Sequence, residues 1–237
     1  VRVHTGATEV LARVRVLDES GEIPIGQNGL AQLRLEAPVV ALHNDHFVVR
    51  SYSPQETVAG GIVLHPFAVK HRGKDLSRTR RLLEQLAEPD RQRKFQAFVE
   101  FTGKLGARLT DVAAATGWND EVLEGVATQA RSASSTDAGG VFLSTEIFKG
   151  YCDQVREELN RFHKREPLAR GLLRETLREK VFAHAAAEVF GSVIAALESQ
   201  KLLVSDKETV RASSHSVDLS EQDQGLRQKF EEAYNKA

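Results

Sequence analysis

The sequence predicts a multidomain β + α protein: a small antiparallel β-barrel followed by tandem winged-helix domains. Three observations predict it. Residues 1–70 alternate apolar and polar side chains in short runs cut by turn residues, the mark of half-buried strands. Beyond residue 70 the apolar positions recur at helical spacing. The helical part then repeats one order of elements, helices followed by a hairpin, over roughly 70 residues, which is a helix-turn-helix with an appended wing.

The strands come first. Residues 9–16 have period two, with Val10, Ala12, Val14 and Val16 on one side and Leu11, Arg13 and Arg15 on the other. Residues 29–36 alternate again, Leu33 and Leu35 against Gln32, Arg34 and Glu36. Residues 47–50 and 61–64 are short β-branched runs. Turn residues separate these runs at 18–21, 26–29, 43–45 and 51–54. Strands this short at this spacing suit a small barrel or sandwich. Gly60 and Gly61 mark a bulge or a corner.

The helices follow. Leu76, Leu82, Leu83 and Leu86 share one stripe, and Phe95, Phe98, Val99 and Phe101 another. Residues 109–117 and 119–129 read as short helices, the first stopped by Gly117. Residues 131–140 are Ser/Gly-rich and read as a loop, with 141–143 as a strand returning from it. Residues 144–164 and 180–200 read as long helices, and 202–204 with 209–211 as a two-stranded wing. Leu-Ser begins a predicted helix at Leu76-Ser77, Leu143-Ser144 and Leu219-Ser220, where the Ser hydroxyl can accept an orphan backbone N–H. The predicted domains are a barrel at 1–70, winged helix 1 at 71–142, winged helix 2 at 143–218, and the truncated start of a third at 219–237.

Composition limits the function. The chain has 237 residues, 41 % hydrophobic and 27 % charged, with net charge -1, so it is globular and is not a uniform polycation. Its single cysteine, Cys152, cannot form an internal disulfide and fits a reducing compartment. No apolar run approaches the ~18 residues of a membrane span. The chain starts at Val1 and contains no Met, which suggests a piece of something longer; nothing physical explains the lack of internal Met.

Catalytic motifs are missing. There is no G-x-x-x-x-G-K-[ST], no G-x-G-x-x-G and no G-x-S-x-G, so the sequence predicts no catalytic residue. His43 and His46 flank Asp45 without a third and fourth ligand at usable spacing, and read as a solvated turn rather than a metal site. His184, among alanines, reads as a packed core histidine. Cys152 shows no neighbouring base and reads as structural. Trp118 reads as the anchor of a turn rather than a base-stacking platform. Residues 70–94 hold nine Lys/Arg against four Asp/Glu, a net +5, which is either a solvated helix face or a phosphate-facing stripe. The candidate reading helices are poorly suited to phosphate: 119–129 carries Asp120, Glu121 and Glu124 with no Lys or Arg, and 180–200 has only Lys180. The winged units therefore read as a spacer. A DNA-binding transcription regulator with an accessory barrel is the alternative.

Four segments carry a family resemblance, in order: residues 3–9 (VHTGATE), 29–38 (GLAQLRLEAP), 44–54 (NDHFVVRSYSP) and 57–64 (TVAGGIVL). Together they resemble the third, β-barrel domain of elongation factor Tu-like GTPases. The RSYSP and TxxGGxVL forms resemble the bacterial selenocysteine-specific elongation factors, the SelB family, in particular. Residues 162–171 (FHKREPLARG), with Leu177 and Arg178, resemble that family's second winged-helix unit. Ala59 stands where the family has the first of three glycines, and Leu172 where it has Met. The resemblance implies a cytoplasmic translational GTPase that delivers selenocysteyl-tRNA to the ribosome at recoded UGA codons while holding an mRNA hairpin. It implies that GTP and Mg²⁺ belong to a G domain absent from this chain, which would have no enzyme activity or cofactor of its own, and that the hairpin is gripped by winged helices also absent. It further implies a tRNA contact through Arg50, Ser51 and Tyr52, with His4 and Thr5 on a nearby loop.

Overall fold

The computed structural model of the chain describes residues 1–18, 20–67, 76–133 and 135–215. The third winged unit at 219–237, and Lys70, Arg72 and Lys74, lie outside the described residues. The described residues form two compact units, Val1–Ser144 and one beginning at Thr145.

The first unit opens with a five-stranded antiparallel sheet. Its strands are β1 (Arg2–Thr5), β2 (Thr8–Val16), β3 (Ala31–Leu35), β4 (His46–Arg50) and β5 (Thr57–Ile62), in the order β3-β2-β1-β4-β5. No pairing joins β3 to β5 among the described residues, so the barrel is a curled half-barrel with two edges. Val3, Val10 and Ala12 are buried on its inner face beside Leu33, Leu35 and Phe47. The alternation of β2 weakens towards its end, where Val14 is exposed. Pairing shifts between Val49 and Arg50, with Val49 opposite Ala59 and Arg50 opposite Thr57, leaving Val58 as the bulged residue. Gly61 is a close-approach glycine: a Cβ there would sit 2.6 Å from the Phe47 ring.

Helices complete the unit: α1 (Leu76–Ala87), α2 (Arg91–Thr102), α3 (Leu109–Thr116) and α4 (Asp120–Ala133). Asp90 caps α2 by accepting from the Gln92 and Arg93 amides, and Asn119 caps α4 by accepting from Val122. Gly117 ends α3 with φ 69°, the left-handed conformation glycine adopts without steric cost. Strands β6 (Ala107–Arg108), β7 (Ser135–Asp137) and β8 (Val141–Ser144) form a small sheet in the order β6-β8-β7. Helices α2, α3 and α4 with this sheet make a winged helix, and α1 is an additional helix in front of it. Within residues 131–140, expected as a loop, 131–133 instead end α4 and Ser135–Asp137 form a paired strand, while 138–140 turn into β8. The hydrogen bonds of a sheet satisfy a polar Ser-Thr-Asp run as well as an apolar one.

The helices of this unit have a core of their own, distinct from the inner face of the sheet, and residues that flank the strands join it. Leu17 is buried in the same cluster as Leu82, Leu86, Phe95, Val99 and Phe142, with Leu30 and Leu64 packed against it. Trp118 packs at its margin.

The second unit contains α5 (Thr145–Arg165), β9 (Leu172–Leu173), α6 (Arg174–Phe182), α7 (Ala187–Ser199), β10 (Leu203–Ser205) and β11 (Thr209–Ala212). Its sheet order is β10-β11-β9, a three-stranded wing where the sequence predicts two. Leu172 is buried opposite Val210. The single helix predicted at 180–200 is two helices bent by 112°. The break lets the Phe182 ring stack on Tyr151 at 4.9 Å and meet Phe190 edge-on at 5.3 Å. It also corrects the reading of His184, which lies exposed in the turn rather than in the core. The Leu-Ser starts differ as well: Ser144 precedes α5, but Ser77 lies inside α1, one residue past its start, where a side-chain cap cannot form. No single described helix is long and apolar enough to cross a membrane.

Candidate nucleic-acid interface

Register decides which sheet residues face outward. In β1, Val3 is buried, so Arg2 and His4 face outward and Thr5 shares the inner side. Arg2 stands opposite Arg50 of β4 and opposite Leu11 of β2. Two residues along β2, about 7 Å further, Arg13 stands opposite Arg34 of β3, and both are exposed. Arg2, Arg13, Arg34 and Arg50 thus share one face, with the half-buried Arg15 on the same side opposite Gln32. Like charges directly opposite destabilise a strand pair, so the Arg13–Arg34 and Arg2–Arg50 pairings favour an anion over that face. Glu9 offsets part of the charge through an ion pair with Arg2 and lies 3.7 Å from His4.

The residues expected at the tRNA contact divide. Tyr52 is 64 % exposed, and the Arg2 guanidinium lies 5.2 Å from its ring centroid. Arg50 donates to the Gln55 carbonyl at 3.1 Å. The Ser51 hydroxyl is engaged inside its own turn, donating to the Pro54 carbonyl and accepting from the Glu56 amide at 3.1 Å. His4 and Thr5 belong to β1 rather than to a loop, and they point to opposite sides. His4 joins the arginine face, whereas the Thr5 hydroxyl donates to the His46 carbonyl at 3.5 Å. Sequence reasoning missed Arg2, Arg13 and Arg34. The alternation placed Arg13 and Arg34 opposite the apolar positions, but only register puts them side by side.

The described cations of the basic stretch, from Arg78 to Lys94, are largely spent on internal partners. Arg80 pairs with Asp18 at 2.7 Å, Arg81 with Glu100 at 3.4 Å and Arg93 with Glu88 at 2.6 Å, while Arg78 donates to the Glu100 carbonyl. Lys94 is buried and contacts His43 at 2.8 Å. His43 is therefore no solvated turn residue: it is 5 % exposed, beneath α2.

The winged helices offer little to phosphate. Asp120, Glu121 and Glu124 are exposed on α4, and Arg131 is tied to Asp137 at 2.8 Å. Helix α7 has no Lys or Arg. In the second unit the Glu158 side chain, 10 % exposed, binds Arg161 and Lys180, and the Lys180 hydrogen bond is the main reason its carboxyl is held below the usual range. Burial pushes the Cys152 thiol up, the opposite of an activated nucleophile. Among the described residues no group of three or more His, Cys, Asp or Glu could hold a metal ion.

A curled antiparallel β-sheet with an arginine face, followed by winged helices, defines the class of the chain: a half-barrel joined to winged helices. Residues 1–70 match the family described as selenocysteine-specific elongation factor, beta-barrel domain, and residues 156–211 match the family described as elongation factor SelB, winged helix. These two segments are domains of the selenocysteine-specific elongation factor family. The chain is 25 % identical over 245 residues to the selenocysteine-specific elongation factor of Desulfomicrobium baculatum, covering 100 % of this chain and 38 % of that relative. Its fold resembles the crystal structure of the bacterial selenocysteine-specific elongation factor EF-Sec with a TM-score of 0.63 at 17 % identity, covering 89 % of this chain and 31 % of that one. The chain therefore spans well under half the length of either relative. No comparison supports the DNA-binding alternative.

Proposed function

We propose that this chain is the tRNA-contacting and arm-forming part of a cytoplasmic factor that delivers selenocysteyl-tRNA to the ribosome at recoded UGA codons. In this reading GTP, Mg²⁺ and the reaction belong to a G domain outside these residues, and the mRNA hairpin is held by further winged helices. The observation that carries it is the outward face of Arg2, Arg13, Arg34 and Arg50, with Tyr52 at its border. Guanidinium groups pair bidentately with phosphate, and the phenol can donate to a phosphate or a 2′-hydroxyl. The winged helices act as a spacer, since their reading helices are acidic or uncharged.

Reversing Arg50 to Glu in the complete factor tests this. Selenocysteyl-tRNA affinity is expected to fall, and the slope of log affinity against log salt to shrink by about one. Unchanged affinity and slope retire the site.

A further inference from the structure

His43 and Lys94 form a buried polar contact that the tRNA reading does not use. His43 lies in the turn before β4, and Lys94 lies on α2. They are 5 % and 7 % exposed, and their Nε2 and Nζ atoms stand 2.8 Å apart. The other ring nitrogen, Nδ1, is 2.9 Å from the Leu64 carbonyl. A carbonyl only accepts, so Nδ1 carries the proton and Nε2 is left to accept from Lys94. The His43 amide donates to the Ala115 carbonyl of α3 at 2.7 Å. One residue thus ties the sheet to two helices of the winged unit.

The contact holds one proton between its two nitrogens. Lys94 is intrinsically the stronger base and keeps it. A second proton, on Nε2, would set an imidazolium N–H against the Lys94 ammonium with little solvent to screen the repulsion. Around the pair stand Arg91 on α2, which adds positive charge, and His65, whose ring meets Phe98 and Phe101 at 5.2 and 4.7 Å. Asp45 would be the natural counter-ion, but its carboxylate accepts from the Leu42 amide at 2.7 Å. Burial and the Lys94 charge both hold the His43 pKa below its usual value, in agreement with this geometry.

We propose that the His43–Lys94 contact is an acid-sensitive latch: while His43 is neutral it fastens the sheet to the first winged unit, and protonation of Nε2 releases that fastening. Stability from the latch is fully present above the unfolded histidine pKa of ~6.5 and is lost as pH falls towards the lower folded value.

The experiment is a pH series on the whole chain, with ¹⁵N imidazole signals read together with thermal melts. The wild type is expected to show His43 as the Nδ1–H tautomer at pH 8. Its melting temperature should fall as His43 titrates. His43→Gln can still donate to Leu64 and accept from Lys94 but cannot titrate, so it is expected to lose that step of the acid response. Finding His43 as the Nε2–H tautomer would overturn the latch even if the variant fails to fold. So would an acid response identical in the wild type and H43Q.

Discussion

Glu158 shows how a single buried carboxylate holds the second unit together. It receives Lys180 from α6 at 2.6 Å and Arg161 from its own helix. Glu158→Gln leaves both cations without a counter-charge, and the expected cost is about 1–3 kcal/mol at neutral pH. The folded carboxyl pKa is depressed, so this stabilisation is complete above the unfolded value of ~4.3 and disappears as pH falls through the folded one. Melting curves at pH 7 and pH 3 should therefore show a gap between wild type and E158Q that closes in acid. Histidines were the least legible residues. His43 and His184 exchange the environments their neighbours suggest: the one in a polar turn is buried, and the one among alanines is exposed. Local composition does not report which turn a helix will cover or where a helix will break.

At the scale of elements, apolar periodicity found β2, β3 and β4, α1, α2 and two of the three wing strands of the second unit, but it left out β1 and met β5 only at Gly61 and Ile62. It failed where packing overrides propensity. Alanine-rich residues 183–187 favour an unbroken helix, yet the chain bends there because Phe182 and Phe190 gain a shared ring contact. The Leu-rich and Phe-rich stripes have a consequence that the sequence does not display: they meet Leu17, Leu30 and Leu64, which lie just beyond the strand ends, in one helical core. Phe95 is fully buried at its centre, edge-on to Phe142 at 5.2 Å. Phe95→Ala is expected to cost about 3–5 kcal/mol. Near-UV signals from Trp118 and amide protection in α2 and α4 should weaken together in that variant, since all three border the helical core. Unchanged protection in α4 would contradict this.

For the whole molecule, the division of labour follows from where charge collects. The stretch with the greatest positive excess, 70–94, commits its described cations largely to neighbours, while Arg2, Arg13, Arg34 and Arg50, one on each of strands β1 to β4, converge on one sheet face. Motif order made the family legible, and Arg50 and Tyr52 were marked by it as candidates. Arg2, Arg13 and Arg34 were not, because strand register is a non-local property that alternation alone leaves open. Titrating a hairpin of the tRNA T arm into ¹⁵N-labelled chain tests the central claim directly. The account expects salt-sensitive shifts at the amide and guanidinium signals of Arg2, Arg13, Arg34 and Arg50, with α4 and α7 unmoved. Shifts confined to α4 and α7, or a sheet face that does not respond, would contradict it.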